Sequence, residues 1–171
     1  SADVIPSNAI DSGGIGGAVN FSSFSIANAA RVIGKSSVSV TFSFTPTAGG
    51  ALAANKTITL VYPSKFFAAS ATPTGSISTA GSSLTAIGAP GDTSITMTTA
   101  GSTLSASVAV TITLSGLSMG STPTAGGAVT VSTSADAIPS NAVDSGGIGG
   151  AVILSSFLLA NDVRVVGRTN V

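Results

Sequence analysis

The chain has 171 residues, 6 Lys plus Arg against 6 Asp plus Glu, and only 7% charged residues. It contains no His and no Cys, which excludes a disulfide scaffold, a thiolate metal site and a histidine-based catalytic centre. Balanced charge argues against nucleic-acid binding, and no apolar run is long enough for a membrane-spanning helix. We therefore expect no cofactor, no nucleic-acid partner and no membrane partner.

The first segment, residues 1–17, is rich in Gly, Ser, Asn and Asp and shows no hydrophobic periodicity. Such a composition favours a linker. Fully extended, these residues would reach roughly 55 Å at about 3.3 Å per residue. We predict an extended arm that could cross to a neighbouring domain.

Residues 18–133 carry the strand signals. VSVTFSF (38–44) alternates apolar and polar residues with a period of two, which is typical of a half-buried strand. Gly- and Pro-containing turns separate the strands, and the pattern allows one short helical turn at most, at KFFAASA (65–71). About seven antiparallel strands predict an all-β, two-sheet sandwich. The other alternating segments are KTITLVY (56–62), TSITMTT (93–99), SVAVTITL (107–114) and AVTVST (128–133).

The chain then repeats its own beginning. Residues 134–171 align with residues 1–38 without a gap, at an offset of 133, and 17 of the first 19 positions are identical. A period of this length is that of a domain rather than of a solenoid unit. We therefore expect a second linker arm at 134–150 and the first strand of a further repeat, or a donor strand, at 151–171.

This last segment, which we call the tail (residues 151–171), is more apolar than its counterpart. Strict alternation places Ile153, Phe157 and Leu159 on one face and Val152, Leu154 and Leu158 on the other. A strand that is apolar on both faces is expected to be buried on both. Leaving about five such side chains in water would cost on the order of 7–15 kcal/mol. We predict that these six residues form a polymer interface.

Three arrangements would cover the tail. The rest of a next repeat could do so in a tandem array, or the tail could insert into the sheet of another subunit as a donor strand. In a third arrangement, it folds back on its own domain. The first two both produce a linear polymer whose partner is the protein itself.

One catalytic pattern is present, and we interpret it as a chance match. Gly116-Leu117-Ser118-Met119-Gly120 fits the G-x-S-x-G nucleophile elbow. The residues that follow do not form a helix pattern, and the chain has no His to act as the base. We predict that the protein is not an enzyme.

Glycans are a second expected partner. Two N-x-S/T triplets begin at Asn20 and Asn55, and three Thr-Pro-Thr triplets lie at predicted turns. Such patterns are typical of extracellular or cell-surface glycoproteins. The threonines that we consider candidates for O-glycosylation are Thr45, Thr47, Thr72, Thr74, Thr122 and Thr124.

Two stretches, FSFTPTAGGALAANKTITLVYPSKFF (42–67) and VTITLSGLSMG (110–120), resemble the immunoglobulin-like sandwich repeats of long secreted microbial and algal proteins. Some of these build extracellular glycosylated fibrils. The resemblance implies an Ig-like sandwich with a structural role and no active-site residues. Together with the repeat, it predicts a subunit or repeat of an extracellular filament that assembles head to tail. The alternative is an adhesin or stalk module of a cell-surface protein that binds glycans or surfaces.

Overall fold

A computed structural model describes residues 15–69 and 72–150. Within these ranges the regular structure is almost entirely β, and the one helical element is a three-residue 3-10 helix, Asn28–Ala30. The strands are β1 (Asn20–Ile26), β2 (Val38–Thr45), β3 (Thr57–Val61), β4 (Thr74–Ile77), β5 (Ser82–Ile87), β6 (Ser94–Gly101), β7 (Val110–Leu117), β8 (Ala128–Thr133) and β9 (Val143–Asp144).

The strands form two antiparallel sheets, with orders β1-β2-β7-β4 and β5-β6-β3-β8-β9. The prediction of an all-β, two-sheet antiparallel sandwich is confirmed. Alternate residues of each predicted strand are buried, because a strand sends successive side chains to opposite faces. The core between the sheets includes Val40, Phe42, Phe44, Ile58, Leu60, Ile95, Met97, Ile112, Leu114, Val129 and Val131.

β1 departs from strict alternation through a bulge. Phe21 lies opposite Phe44, but Ser23 lies opposite Ser43, so Ser22 is an additional residue in the strand. The Ser22 hydroxyl donates a hydrogen bond to the Ser43 carbonyl at 3.0 Å. A bulge of this kind shifts the facing of the residues after it by one position. As a result Phe21 and Phe24, three residues apart, are both buried.

Two strands and the region of the predicted helical turn differ from expectation. β4 and β5 have few large apolar side chains and are mostly half-exposed, so their alternation is weak. Residues 65–69 of the expected helical turn are not helical; Lys65 has a φ of 58° and Phe67 forms a bridge to Met119. The burial of Phe66 and Phe67 against Tyr62 favours this irregular path over a helix.

Residues 134–150, which we call the strap, also differ from the expected free arm. They run along the open side of the sandwich, between β1 of one sheet and β8 of the other. β9 lies within the strap and pairs with β8. The strap therefore packs on its own domain instead of extending away from it, because its backbone and small polar side chains find partners there.

The predicted interface residues of the tail, Val152 to Leu159, lie outside the described residues, as do residues 1–14. In the described part of the chain, no helix has the length and apolar character needed to span a membrane.

Candidate functional site

The path of the strap sets where the chain enters and leaves the domain. Ala18 forms a parallel bridge with Ile138, and Val32 forms a parallel bridge with Gly149. The strap therefore runs in the same direction as β1 and passes its full length. The seven residues of β1 span roughly 23 Å at about 3.3 Å per residue. The chain enters at Gly17 and leaves at Gly149 at the other end of the sandwich. We call these the entry end and the exit end.

Two serines attach the strap to β8 by the same arrangement. The Ser140 amide donates to the Val131 carbonyl, and the Val131 amide donates back to the Ser140 hydroxyl, both at 3.0 Å. Ser145 repeats this pair with Gly127, the residue immediately before β8, at 2.8 and 2.9 Å. In each case the hydroxyl replaces a strand carbonyl. The unpaired backbone of β8 is thus satisfied by a segment that is mostly not a strand.

Asn141 covers the outer edge of β1 in a related way. Its side-chain oxygen accepts a hydrogen bond from the Phe21 amide at 3.4 Å, and its side-chain nitrogen donates to the Phe21 carbonyl at 3.3 Å. One side chain therefore imitates a neighbouring strand at this position. Because β1 is the last strand of its sheet, this contact protects an edge that could otherwise pair with another chain.

Asp136 holds the strap at the entry end. Its carboxylate is fully buried and accepts hydrogen bonds from the Gly17 amide (2.8 Å), the Thr47 amide (2.9 Å) and the Thr47 hydroxyl (2.6 Å). Burial alone would raise the pKa of Asp136, but the bonds from Thr47 and Gly17 outweigh it and hold the pKa below its ordinary value. The charged carboxylate thus joins the chain entry, the end of β2 and the strap.

Gly50 leaves the space that this carboxylate fills. A Cβ at position 50 would collide with the carboxyl group of Asp136. Position 50 lies in the turn after β2, where the Gly50 amide donates to the Thr47 carbonyl at 3.0 Å. The small residue is therefore required by a contact with a residue 86 positions away.

Arg31 holds the strap at the exit end. Its Nε donates to the Ile26 carbonyl at 3.2 Å, and its Nη1 donates to the Ser145 carbonyl. Arg31 follows β1 in the chain, so the guanidinium joins the end of β1 to the end of the strap. A planar group with several fixed donors suits this bridging between two backbone carbonyls.

Ile148 and Ile15 occupy the same position in the two copies of the repeated sequence. Ile148 is 2% exposed and pairs through its backbone with Thr124, whereas Ile15 is 94% exposed. One sequence therefore has two environments in a single chain. The exposed Ile15 lies at the entry end, immediately before the domain.

The predicted glycan acceptors differ in how exposed they are. Asn20, Asn55, Thr72, Thr74 and Thr122 are exposed, and Thr45 and Thr124 are half-buried. Asn55 has a φ of 63°, a left-handed conformation that Asn tolerates better than most residues. Thr47 is engaged by Asp136 through its hydroxyl, which makes that oxygen a poor acceptor for a sugar.

The serine of the G-x-S-x-G pattern lies in a cleft near the exit end. The cleft has a volume of about 520 Å³ and is lined by Lys65, Phe67, Asp92, Ser118 and Met119 among others. Asp92 accepts a hydrogen bond from the Ser64 hydroxyl at 2.8 Å. Among the described residues, no group of three or more His, Cys, Asp or Glu side chains is placed to hold a metal ion. That the protein is not an enzyme stays a prediction.

Sequence reasoning missed the strap, although a signal for it was present. The two copies agree at 17 of their first 19 positions but at only 9 of the next 19. A flexible linker needs composition rather than identity, so the higher identity of the Ser-, Asn- and Asp-containing part indicates specific contacts. Ser140, Asn141, Ser145 and Asp136 make those contacts.

Comparisons with protein families, with curated proteins and with solved structures give no match to this chain.

Proposed function

We propose that this chain is a structural subunit or repeat of an extracellular filament, in which successive domains are joined head to tail. The observation that carries the proposal is that one sequence repeat equals one folded unit. The domain from Ala18, which pairs with Ile138 of the strap, to Gly150 spans 133 positions of the sequence, which is the offset between the two copies. We call this unit the bead.

The positions of the two ends favour a linear arrangement of beads. Gly17 enters at one end of β1 and Gly149 leaves beyond the other. A polymer whose units are entered and left at opposite ends extends in one direction, whereas adjacent ends would fold each unit back beside the last. Asp136 and Arg31 hold the chain at these two ends, which would limit bending at each junction.

The immunoglobulin-like relationship belongs to this proposal, and the order of strands supports it. Ig-like sandwiches place strands A-B-E-D opposite G-F-C, with C′ and C″ added beyond C in variable-type domains. Here β1-β2-β7-β4 takes the place of the first sheet, and β9-β8-β3-β6-β5 takes the place of the second. Two differences remain. β4 precedes β5 and β6 in the chain, whereas strand D of a variable-type domain follows C′ and C″, and β6, which lies beside β3 in the position of C′, follows β5 in the chain, whereas C′ precedes C″.

Glycans would support an extracellular location and the solubility of such a polymer. Net charge is zero, so electrostatic repulsion between beads is weak. Asn20 and Asn55, the two candidate N-glycosylation acceptors, are both exposed. Mass spectrometry of the native material would detect a mass addition on peptides that contain these residues.

Electron microscopy of the full chain tests the filament proposal. We expect filaments of the full chain, and a soluble monomer when residues 151–171 are deleted. A matched deletion of residues 1–14, at the other end of the chain, should keep the filaments. Filaments that persist without the tail would overturn assembly by strand insertion. A full chain that stays monomeric at high concentration would overturn the subunit form of the proposal, in which separate chains assemble.

A further inference from the structure

At the exit end, the bead holds the chain by the backbone of Gly149. The Gly149 amide donates to the Arg31 carbonyl at 2.9 Å, and the Gly149 carbonyl accepts from the Ile33 amide at 3.2 Å. Val32, between these two partners, forms the bridge with Gly149, and its side chain is 43% exposed. An exposed apolar side chain therefore lies where the chain leaves the bead.

At the entry end, the bead holds the chain by Gly16 and Gly17. The Gly17 carbonyl accepts a hydrogen bond from the Ile138 amide at 3.2 Å, and the Ile138 side chain is 61% exposed. Gly16 packs so closely on the start of the strap that a Cβ there would collide with the Ala135 carbonyl oxygen. An exposed apolar side chain therefore also lies where the chain enters.

The sequence repeat makes these two points of attachment neighbours. Gly149 and Gly150 have the same positions in the second copy that Gly16 and Gly17 have in the first. In successive beads built on this repeat, the glycine held at the exit end of one bead and the glycine held at the entry end of the next are consecutive residues. Their Cα atoms are about 3.8 Å apart. No spacer separates the beads, so their end surfaces lie against each other.

The exposed apolar side chains of the bead are distributed as such a contact requires. Val108 also lies at the entry end, since the preceding residue, Ser107, donates its amide to the Pro46 carbonyl just beyond β2. Of the five large apolar side chains that are exposed among the described residues, four lie at the two ends, and only Val61 lies on the outer face of a sheet. Contact between end surfaces would remove this apolar area from water. The five are Ile15, Val32, Val61, Val108 and Ile138.

We propose that the entry face of the bead, around Ile138 and Val108, docks on the exit face of a second copy of this chain, around Val32, with Ile138 against Val32. The proposal rests on the proposed function and names its contact surface. A second copy is the occupant because the repeat brings exactly these two faces together. The contact is heterologous, since the two faces differ, so each bead binds one neighbour at each end. The junction between beads is then a packed contact instead of a free hinge.

Disulfide trapping in the full chain tests the contact, since the protein has no cysteine of its own. Within one chain, Val32 and Ile138 lie at opposite ends of β1, roughly 23 Å apart, which is too far for a disulfide. The variant V32C/I138C should therefore form a ladder of disulfide-linked chains on oxidation. The control V32C/V61C keeps the exit-end cysteine and moves the other to the outer face of β3, and it should form no ladder.

Chains with a single cysteine test the polarity of the contact. A mixture of V32C and I138C should give disulfide-linked dimers that contain one chain of each kind, and either variant alone should stay unlinked. Dimers of V32C alone or of I138C alone, at the yield of the mixture, would show a symmetric contact and overturn the proposal. The absence of a ladder from V32C/I138C would also overturn it.

A matched pair of serine substitutions tests the energetic role of the contact. Ile138 is already largely exposed in the bead, so I138S should leave the urea midpoint of the monomer unchanged. It should raise the concentration at which filaments form by about tenfold, because the docked side chain loses its burial. V61S removes an exposed apolar side chain that lies outside the contact and should leave that concentration unchanged. Equal shifts from the two variants would contradict docking through Ile138.

The filament and the end-to-end contact fail in different ways. Filaments of V32C/I138C that form without the disulfide ladder would leave the proposed function intact and overturn the contact. Mixed dimers of V32C and I138C in a chain that forms no filaments would support the contact and overturn the subunit form of the proposed function. The absence of both overturns both.

Discussion

The two ends of the chain carry nearly the same sequence, and the position shared by Ile15 and Ile148 shows how differently it is used. Ile148 is buried beside Thr124, and Ile15 is almost fully exposed at the entry end. The difference does not come from local sequence, since GGIGG surrounds both residues. It comes from the neighbouring chain segments: Ile148 pairs with Thr124, and the next residue, Gly149, pairs with Val32. The structure of this segment is therefore decided by what lies next to it.

The largest loss of stability is expected when Asp136 is replaced. D136A leaves the Gly17 and Thr47 amides without their buried acceptor, and hydrogen bonds to a charged group contribute about 1.5–3 kcal/mol each. We expect the free energy of unfolding of the full chain to fall by about 3–5 kcal/mol, as measured by urea denaturation. The control D144A changes an exposed carboxylate of the strap that accepts one hydrogen bond, from the Gly146 amide at 2.9 Å, and should lower it by about 1 kcal/mol or less. Equal losses from both variants would contradict a special role for the buried Asp136 carboxylate.

The second contrast uses the isoleucines themselves. I148A removes buried apolar atoms and should lower the free energy of unfolding by about 2–4 kcal/mol. I15A removes atoms that are already in water and should leave it within about 0.5 kcal/mol. Thermal and urea unfolding of the two variants, measured below the concentration at which the chain assembles, would check this. A large effect of I15A in the monomer would mean that Ile15 is buried in solution.

A smaller loss of stability is expected when Gly50, which lies against the strap residue Asp136, is replaced. G50A places a methyl group where the Asp136 carboxylate lies, and such overpacking typically costs about 1–3 kcal/mol. Gly88 provides the control, because a Cβ there would meet its nearest atom, the Thr96 carbonyl oxygen, at 3.5 Å, an ordinary contact. G88A should be close to neutral in the same denaturation experiment. If G50A is also neutral, the strap is not held tightly at the entry end.

The smallest effect is a dependence on pH. The pKa of Asp136 is lowered in the folded protein, so between the two pKa values the folded protein binds fewer protons at this carboxyl than the unfolded chain does. The stability it contributes is therefore present above the unfolded pKa of about 3.9 and is lost as pH falls through the folded value. Urea midpoints from pH 7 to pH 2 should decline for the wild type more than for D136N. Parallel curves for the two proteins would contradict the role of the carboxylate charge.

The alternating strands were predictable because their information is local. In VSVTFSF, for example, every second residue is apolar, and β2 buries Val38, Val40, Phe42 and Phe44 in the observed structure. β4 and β5 were not predicted, because Thr, Ser and Gly fill most of their positions and they lie half-exposed. Their pairing is decided by β7 and β6, which offer free edges.

By itself, the sequence determined the all-β character, the inward face of the main strands and the repeat of 133 residues, because periodicity and identity are visible along the chain. Only the tertiary structure decided the β1 bulge and the course of the strap. The bulge depends on pairing with β2, and the strap depends on Asp136 reaching Gly17 and Thr47, residues 119 and 89 positions away. Contacts at such separations leave no local pattern, and a segment of small polar residues has the same composition whether it is a free linker or a fixed part of the fold.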